Sequence, residues 1–191
     1  MKRTQRNFFI IMSVMMVIYL LITRLPPPIA LGVAGAILVV VLLLAAFAYD
    51  FFVARRLRKR QRWREAADRY EKFEKKLMSA PWLRATVMVY LTIYTFDAIA
   101  IVRNEIAQSL LNLDEFATAE RWLKAALERD LQYAEPYVNL AAIAAIRRDA
   151  VTARRHIARA VGLGYSPEGA QKVLRRALAR GNAMENDSLD K

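Results

Sequence analysis

Few residues of this sequence have the types and spacing that catalysis or metal binding requires. The chain has no cysteine and a single histidine, His156, which excludes disulfides, thiolate metal sites and cysteine nucleophiles. The segment Gly162-Leu163-Gly164 follows a helical pattern, without the strand that precedes a nucleotide-binding glycine loop. His156 falls on the solvent side of a predicted helix. We therefore expect no enzymatic activity, no cofactor and no metal site.

Two acidic residues interrupt apolar segments, and an ionisable group held in lipid is often functional. Asp50 lies near the end of one segment, beside Arg55 and Arg56, and an ion pair with them explains it without a further role. Asp97 lies in the apolar segment 85–102, where near a bilayer centre it would cost about 2.5–3.5 kcal/mol. For that segment we favour a buried core helix or a helix lying against the membrane, with a third span as the alternative.

Two apolar runs near the N-terminus have the length of transmembrane helices. Residues 8–25 contain only Arg24 as a charge, and residues 29–54 contain only Asp50. At about 1.5 Å per residue, roughly twenty apolar residues cross a bilayer core. The prolines at 26–28 cannot continue a helix, so we predict two spans joined by a short turn. A cleaved signal peptide is the alternative for the first run, but that run lacks a small-residue cleavage site.

Basic residues flank these spans unequally. Three lie in the segment 1–7, seven lie in 55–64, and only Arg24 lies beside the turn. The positive-inside rule then places both termini in the cytoplasm, and we expect the protein in a bacterial inner membrane. The second span also carries a small-residue face, through which another helix or a second copy of the chain could pack, at Gly32, Gly35 and Ala36.

Residues 55–79 form, by prediction, one basic amphipathic helix that continues from the second span. Basic residues at a membrane exit are attracted to anionic lipid. Five are candidates for headgroup contact: Arg55, Arg56, Arg58, Lys59 and Arg60. A net charge of +12 also suits nucleic acid, but the sequence carries no recognition motif, and we do not expect a nucleic-acid partner.

The region after the apolar segment repeats itself. Residues 100–133 align with residues 134–167 without a gap, at an offset of 34 positions. The identical pairs include small residues where helices approach closely, such as Ala107/Ala141, Ala119/Ala153 and Ala126/Ala160. Within a helical domain at 80–181, Ser166-Pro167-Glu168 begins a capping helix at 167–180 that Gly181 ends, and 182–191 is predicted to be a disordered tail.

A helix–turn–helix period of 34 residues resembles the tetratricopeptide repeat family. The second unit matches the family positions at Tyr137, Leu140, Ala141, Asp149, Ala153, Ile157 and Ala160. The first unit matches at Ile106, Ala107, Phe116, Ala119, Leu123 and Ala126. It departs at Arg103, where the family has an aromatic residue, and neither unit has the proline expected near Leu131 or Tyr165. The fold class predicted is all-α, with a transmembrane hairpin followed by a repeat domain.

The resemblance implies a concave groove, lined by the first helix of each unit, that binds a protein or peptide. Its candidate residues are Asn104, Gln108, Asn112, Glu135 and Val138. The leading hypothesis is a membrane-anchored adaptor or scaffold that recruits a protein partner. The alternative is an accessory subunit of a larger membrane complex, held mainly through its transmembrane hairpin.

Overall fold

A computed structural model describes residues 12–13, 16–17, 19–20, 23–80, 95 and 97–189 of this chain. All regular structure within these ranges is helical, which confirms the predicted class at that level. Half of the predicted first span, residues 8–25, lies outside the described residues. So does most of the apolar segment 85–102.

Helix α1 (Pro27–Phe47) is the one helix in the described residues that is long and apolar enough to cross a membrane. Its side chains are almost all exposed, and none of its apolar window is buried inside the protein. Pro27 and Pro28 begin this helix instead of forming the predicted turn at 26–28. A proline is tolerated there because the first amides of a helix have no partner within it.

Helix α2 (Tyr49–Lys59) follows α1 with only Ala48 between them. The amide of Phe52 donates to the carbonyl of Ala48 at 3.2 Å, so Ala48 is the residue from which the hydrogen bonding of α2 begins. Phe51 and Ala54 are buried in the core of the following domain. The predicted second span, residues 29–54, therefore ends early, because its last residues pack against protein.

Helix α3 (Trp63–Ser79) folds back on α2, and the predicted single helix at 55–79 is in fact two. The turn between them places Gln61 at a φ of 60°, in the left-handed region. The reversal brings the ring of Phe51 within 5.5 Å of Tyr70 and 5.6 Å of Phe73, centroid to centroid. These rings form the first layer of the core.

Asp50 pairs with cations of α3, not with Arg55 and Arg56 as expected. Its carboxylate accepts a hydrogen bond from Arg69 at 2.9 Å and another from Lys76. The side chain is buried, so these two cations supply the charge compensation that burial requires. The sequence neighbours were the wrong partners because α3 returns alongside the start of α2.

Two further helical hairpins follow, with bounds α4 (Ala98–Leu111), α5 (Phe116–Arg129), α6 (Ala134–Ile146) and α7 (Ala150–Gly162). Each hairpin turns through one residue with positive φ, Asp114 in the first and Arg148 in the second, both at 61°. These residues are 34 positions apart, as are the starts of α5 and α7. The two hairpins thus have the spacing that the sequence repeat predicts.

Small residues mark the closest approaches in these hairpins. Ala119, Ala126, Ala153 and Ala160 are all buried, whereas Ala117 and Ala158 on the same helices are exposed. The predicted register of the second helices, which puts the first four alanines against neighbouring helices, is confirmed.

Asp97 caps α4, and residues 98–102 lie in the core of the helical domain. The Asp97 carboxylate accepts from the amide of Ala100 at 2.9 Å and pairs with Arg129 at 2.8 Å. Of the alternatives for segment 85–102, the core helix therefore holds for its last residues.

Helix α8 (Pro167–Leu189) runs past both the predicted end at residue 180 and the start of the predicted disordered tail at 182. Ser166 caps it, accepting from the amide of Gly169 at 3.2 Å. Gly181 lies within the helix and does not end it. A β-carbon there would lie 3.0 Å from the carbonyl oxygen of Ile146, so glycine allows α8 to pass close to the end of α6.

Candidate functional site

A groove of about 390 Å³ opens between α4, α6 and α8, on the face formed by the first helix of each hairpin and by the C-terminal helix. Four of the five candidates predicted from the sequence line it: Gln108, Asn112, Glu135 and Val138. Asn139 of α6 and Arg176 of α8 also contribute to its surface. The structure therefore brings together candidates from α4 and α6, which the family resemblance had assigned to one surface, and adds α8 as a wall that was not predicted.

Asn104, the fifth candidate, is completely buried beneath this groove. Its carbonyl oxygen accepts from Asn139 at 2.8 Å, and its amide donates to Tyr133 at 3.2 Å and to Glu135 at 3.1 Å. All of its polar atoms thus have partners within the protein. Asn104 joins α4 to α6 and is not exposed to a binding partner.

Gln108 is held in place by Arg58 of α2. The guanidinium of Arg58 donates to Oε1 of Gln108 at 2.7 Å and forms an ion pair with Glu105, one turn earlier on α4. The Gln108 oxygen is thereby occupied. The side-chain amide nitrogen of Gln108, a residue of the groove lining, has two hydrogens to donate.

Two carboxylates near the groove floor have perturbed ionisation. Burial raises the pKa of Glu105, and the nearby Arg58 cation opposes that rise. Burial likewise raises the pKa of Glu135, which accepts hydrogen bonds from the Tyr133 hydroxyl at 2.8 Å and from Asn104. Burial thus disfavours the charged form of both carboxylates, and the Arg58 cation is a nearby group that opposes this effect at each of them.

The wall formed by α8 is cationic. Arg180 pairs with Asp114 at 2.8 Å and lies over the ring of Phe116, 5.8 Å from its centroid. Arg176, one turn earlier, is exposed and has no ion pair with any residue that the structure describes. Sequence reasoning missed both arginines because it treated α8 as a cap, although one helical turn separates them on a single face.

The remaining groove candidates differ in exposure. Asn112 is exposed at the end of α4 and donates to the carbonyl of Gln108 at 2.7 Å. Val138 is buried and contributes apolar floor. The groove thus combines a small apolar floor, amide groups and a guanidinium that has no ion pair within the described ranges.

The five headgroup candidates all lie on or just after α2. Arg55, Arg56, Lys59 and Arg60 are exposed, whereas Arg58 is turned into the domain. Helix α2 leads away from α1, so Arg60 lies roughly 20 Å along the helix from Phe47. Arg58 thus stabilises the groove through its contacts with Gln108 and Glu105.

His156 is half-buried on α7, with its ring 6.1 Å from that of Tyr137, and burial lowers its pKa. It is distant from the groove lining. Within the described ranges, no group of three or more His, Asp or Glu side chains is positioned to hold a metal ion.

Comparison of the chain with protein-family models, with curated proteins and with solved structures found no match. The functional interpretation therefore depends on the geometry of the groove and on helix α1. Both are features of this chain's own residues.

Proposed function

We propose that this protein is a membrane-anchored adaptor, similar to tetratricopeptide repeat proteins, that binds a protein partner in the groove between α4, α6 and α8. Helix α1 is the anchor, and the helical domain lies on the cytoplasmic side of a bacterial inner membrane. The observation that carries the proposal is the lining of the groove by four residues that the repeat register had assigned to a binding surface.

The chemistry of the groove favours an extended or helical peptide with polar and acidic groups. Gln108 offers amide donors, Asn139 offers a carbonyl oxygen, and Arg176 offers, on the opposite wall, a cation that no described residue pairs. Val138 provides an apolar floor between them. Guanidinium groups bind carboxylates through paired hydrogen bonds, so Arg176 is the residue on which affinity should depend most.

The test is partner retention during affinity purification in mild detergent. Arg176→Glu should release the partner, because it reverses the charge of the groove wall. Arg175→Glu is the matched control, since Arg175 is an exposed neighbour on the same helix that does not line the groove. Equal retention by both variants would reject the groove as the binding site.

The accessory-subunit alternative is favoured by one observation on α1. At Gly32 and Gly35, no atom of the described residues lies within 4 Å of the position that a β-carbon would occupy, so among those residues nothing covers this small-residue face. A fragment comprising residues 48–191 separates the two functions. The adaptor retains its partner in this fragment, whereas the subunit loses it. The cut precedes Ala48 because Ala48, Phe51 and Ala54 are buried in the domain.

A further inference from the structure

We propose that one edge of the helical domain binds anionic phospholipid headgroups. This surface, the proximal edge, comprises Tyr49, Phe52, Lys72, Lys75, Met78 and Leu131. The proposal rests on α1 crossing the membrane, as in the proposed function. It assigns headgroup contact to residues other than the basic cluster at 55–60.

The end of α3 lies level with the end of α1. The ring of Phe73 is 5.9 Å from that of Phe47, the last residue of α1, and Lys76 is hydrogen-bonded to Asp50. Helix α3 runs antiparallel to α2, so its residues after Lys76 continue toward the α1 side. If α1 spans a bilayer, the last turn of α3 is at the bilayer surface.

The same edge extends to the hairpin formed by α4 and α5. Arg103 pairs with Glu74 at 2.7 Å, and Tyr70 donates to Glu105 at 3.3 Å, so α4 runs antiparallel to α3. The start of α4 at Asp97 therefore lies about 9 Å beyond Arg103, toward the α1 side. Arg129, at the end of α5, is paired with Asp97. Leu131 follows two residues later and shares this edge.

Large apolar side chains are exposed along the edge. The exposed fraction is 61% for Tyr49, 50% for Met78 and 64% for Leu131, and Phe52 is also exposed. Tyrosine and other amphipathic residues are favoured at the level of the headgroups, where the ring lies in an apolar layer and the hydroxyl reaches water. The continuity of this edge with α1 indicates lipid as the occupant.

Two cations accompany the apolar residues. Lys72 and Lys75 are exposed on the last turns of α3, and neither forms an ion pair with a residue in the described ranges. Lysine side chains can lay their methylene stems on apolar surface and place the ammonium among headgroup phosphates. Arg60, by contrast, is roughly 20 Å from the end of α1. That separation exceeds the screening length of about 8 Å in physiological salt.

The first test uses the natural absence of cysteine to place single nitroxide labels on the full-length protein in phosphatidylcholine–phosphatidylglycerol nanodiscs. Labels at Phe52→Cys, Met78→Cys and Leu131→Cys should collide more with oxygen than with a water-soluble nickel chelate. Labels at Ala117→Cys and Val151→Cys, which are exposed near the opposite turns, should do the reverse.

The collision data also identify the occupant. Low accessibility to both reagents at Met78 or Leu131 would mean that protein covers the edge, and this would overturn the proposal. If a label at Met78 or Leu131 is as accessible to the nickel chelate as a label at Val151, the edge is covered by water, and this too would overturn the proposal. Neither result depends on the groove, so they leave the partner-retention test unaffected.

The second test concerns charge. Energy transfer from a fluorophore at Ala117→Cys to labelled headgroups should fall when Lys72→Gln and Lys75→Gln are combined, and only in nanodiscs that contain phosphatidylglycerol. The matched control combines Arg56→Gln and Arg60→Gln, which removes two exposed cations from the region after α1 and should leave transfer unchanged. Equal loss for both pairs, or loss for the arginine pair alone, would overturn the assignment to the proximal edge. Circular dichroism verifies that each variant keeps its helices.

Discussion

Nη1 of Arg58 donates a hydrogen bond to Oε1 of Gln108 at 2.7 Å, across 50 positions of sequence. Arg58 belongs to α2, which continues from α1 with a single residue between them. Gln108 lines the groove. The helix that we propose as membrane anchor is therefore connected to the proposed binding surface through α2 and this hydrogen bond. A displacement of α1 relative to the groove would have to move α2 or break the bond.

The ion pair between Arg58 and Glu105 should be among the costliest to break. Arg58→Gln leaves a mostly buried carboxylate without its cation, a change that costs 3–5 kcal/mol in fully buried pairs, so we expect about 3 kcal/mol here. Adding Glu105→Gln should restore part of the loss. Arg64→Gln, which breaks an exposed pair with Glu115, should change stability little, because water already screens that pair. Denaturant unfolding in detergent measures all of these, and similar costs for both arginines would contradict the assignment.

Alanine packing tests the register of the hairpins. Ala119→Leu or Ala153→Leu should overpack a buried contact and cost about 1–3 kcal/mol. Ala117→Leu and Ala158→Leu should change stability little, because both sites are exposed and leucine is nearly as good a helix former as alanine. Thermal unfolding of the full-length variants decides between them. Equal losses at both pairs of sites would show that burial is not the cause.

Gly181 should be intolerant of a side chain although it lies in a helix. Alanine normally gains about 1 kcal/mol over glycine there, but at Gly181 its β-carbon would press against the Ile146 carbonyl oxygen, so we expect a net loss of stability. Gly162→Ala is the control, because nothing lies within 4 Å of its β-carbon position, and it should be neutral or stabilising. A stabilising Gly181→Ala would mean that α8 does not pack closely on α6.

The raised pKa of Glu135 predicts a pH dependence. The Glu135 carboxyl binds its proton more tightly in the folded protein than in the unfolded chain. The contribution of Glu135 to the free energy of unfolding therefore falls as pH rises from the ordinary pKa of 4.5 up through the raised pKa. Glu135→Gln keeps the acceptor for Tyr133 and carries no charge. The melting temperature of Glu135→Gln minus that of the wild type should therefore increase as pH rises across that window. The surface substitution Glu128→Gln is the control, and an identical profile for it would exclude burial as the cause.

Membrane topology follows from the charge distribution. Reporter fusions at the N-terminus and at the C-terminus should both report a cytoplasmic location, because a hairpin of two spans returns the chain to its starting side. One reporter outside and one inside would indicate that α1 crosses alone. Both reporters outside would contradict the positive-inside orientation.

Local periodicity was sufficient for much of the fold. The all-helical class, the apolarity of α1, and the burial of Ala119, Ala126, Ala153 and Ala160 were predictable, because helical spacing and repeat spacing determine which side chains share a face. The same register predicted four of the groove-lining residues. These properties depend on residues close in sequence or related by one repeat.

Only the tertiary structure determined the partners of the polar and special residues. Asp50 pairs with Arg69 and Lys76, and Arg58, which was predicted to contact lipid headgroups, pairs with Glu105, because α3 folds back and α4 packs behind it. Asn104 was predicted at the surface but is buried, since its side chain finds three partners in the next hairpin. Gly181 continues a helix that sequence rules would end. Each outcome depends on which distant groups meet, and helical periodicity along one segment carries no information about that.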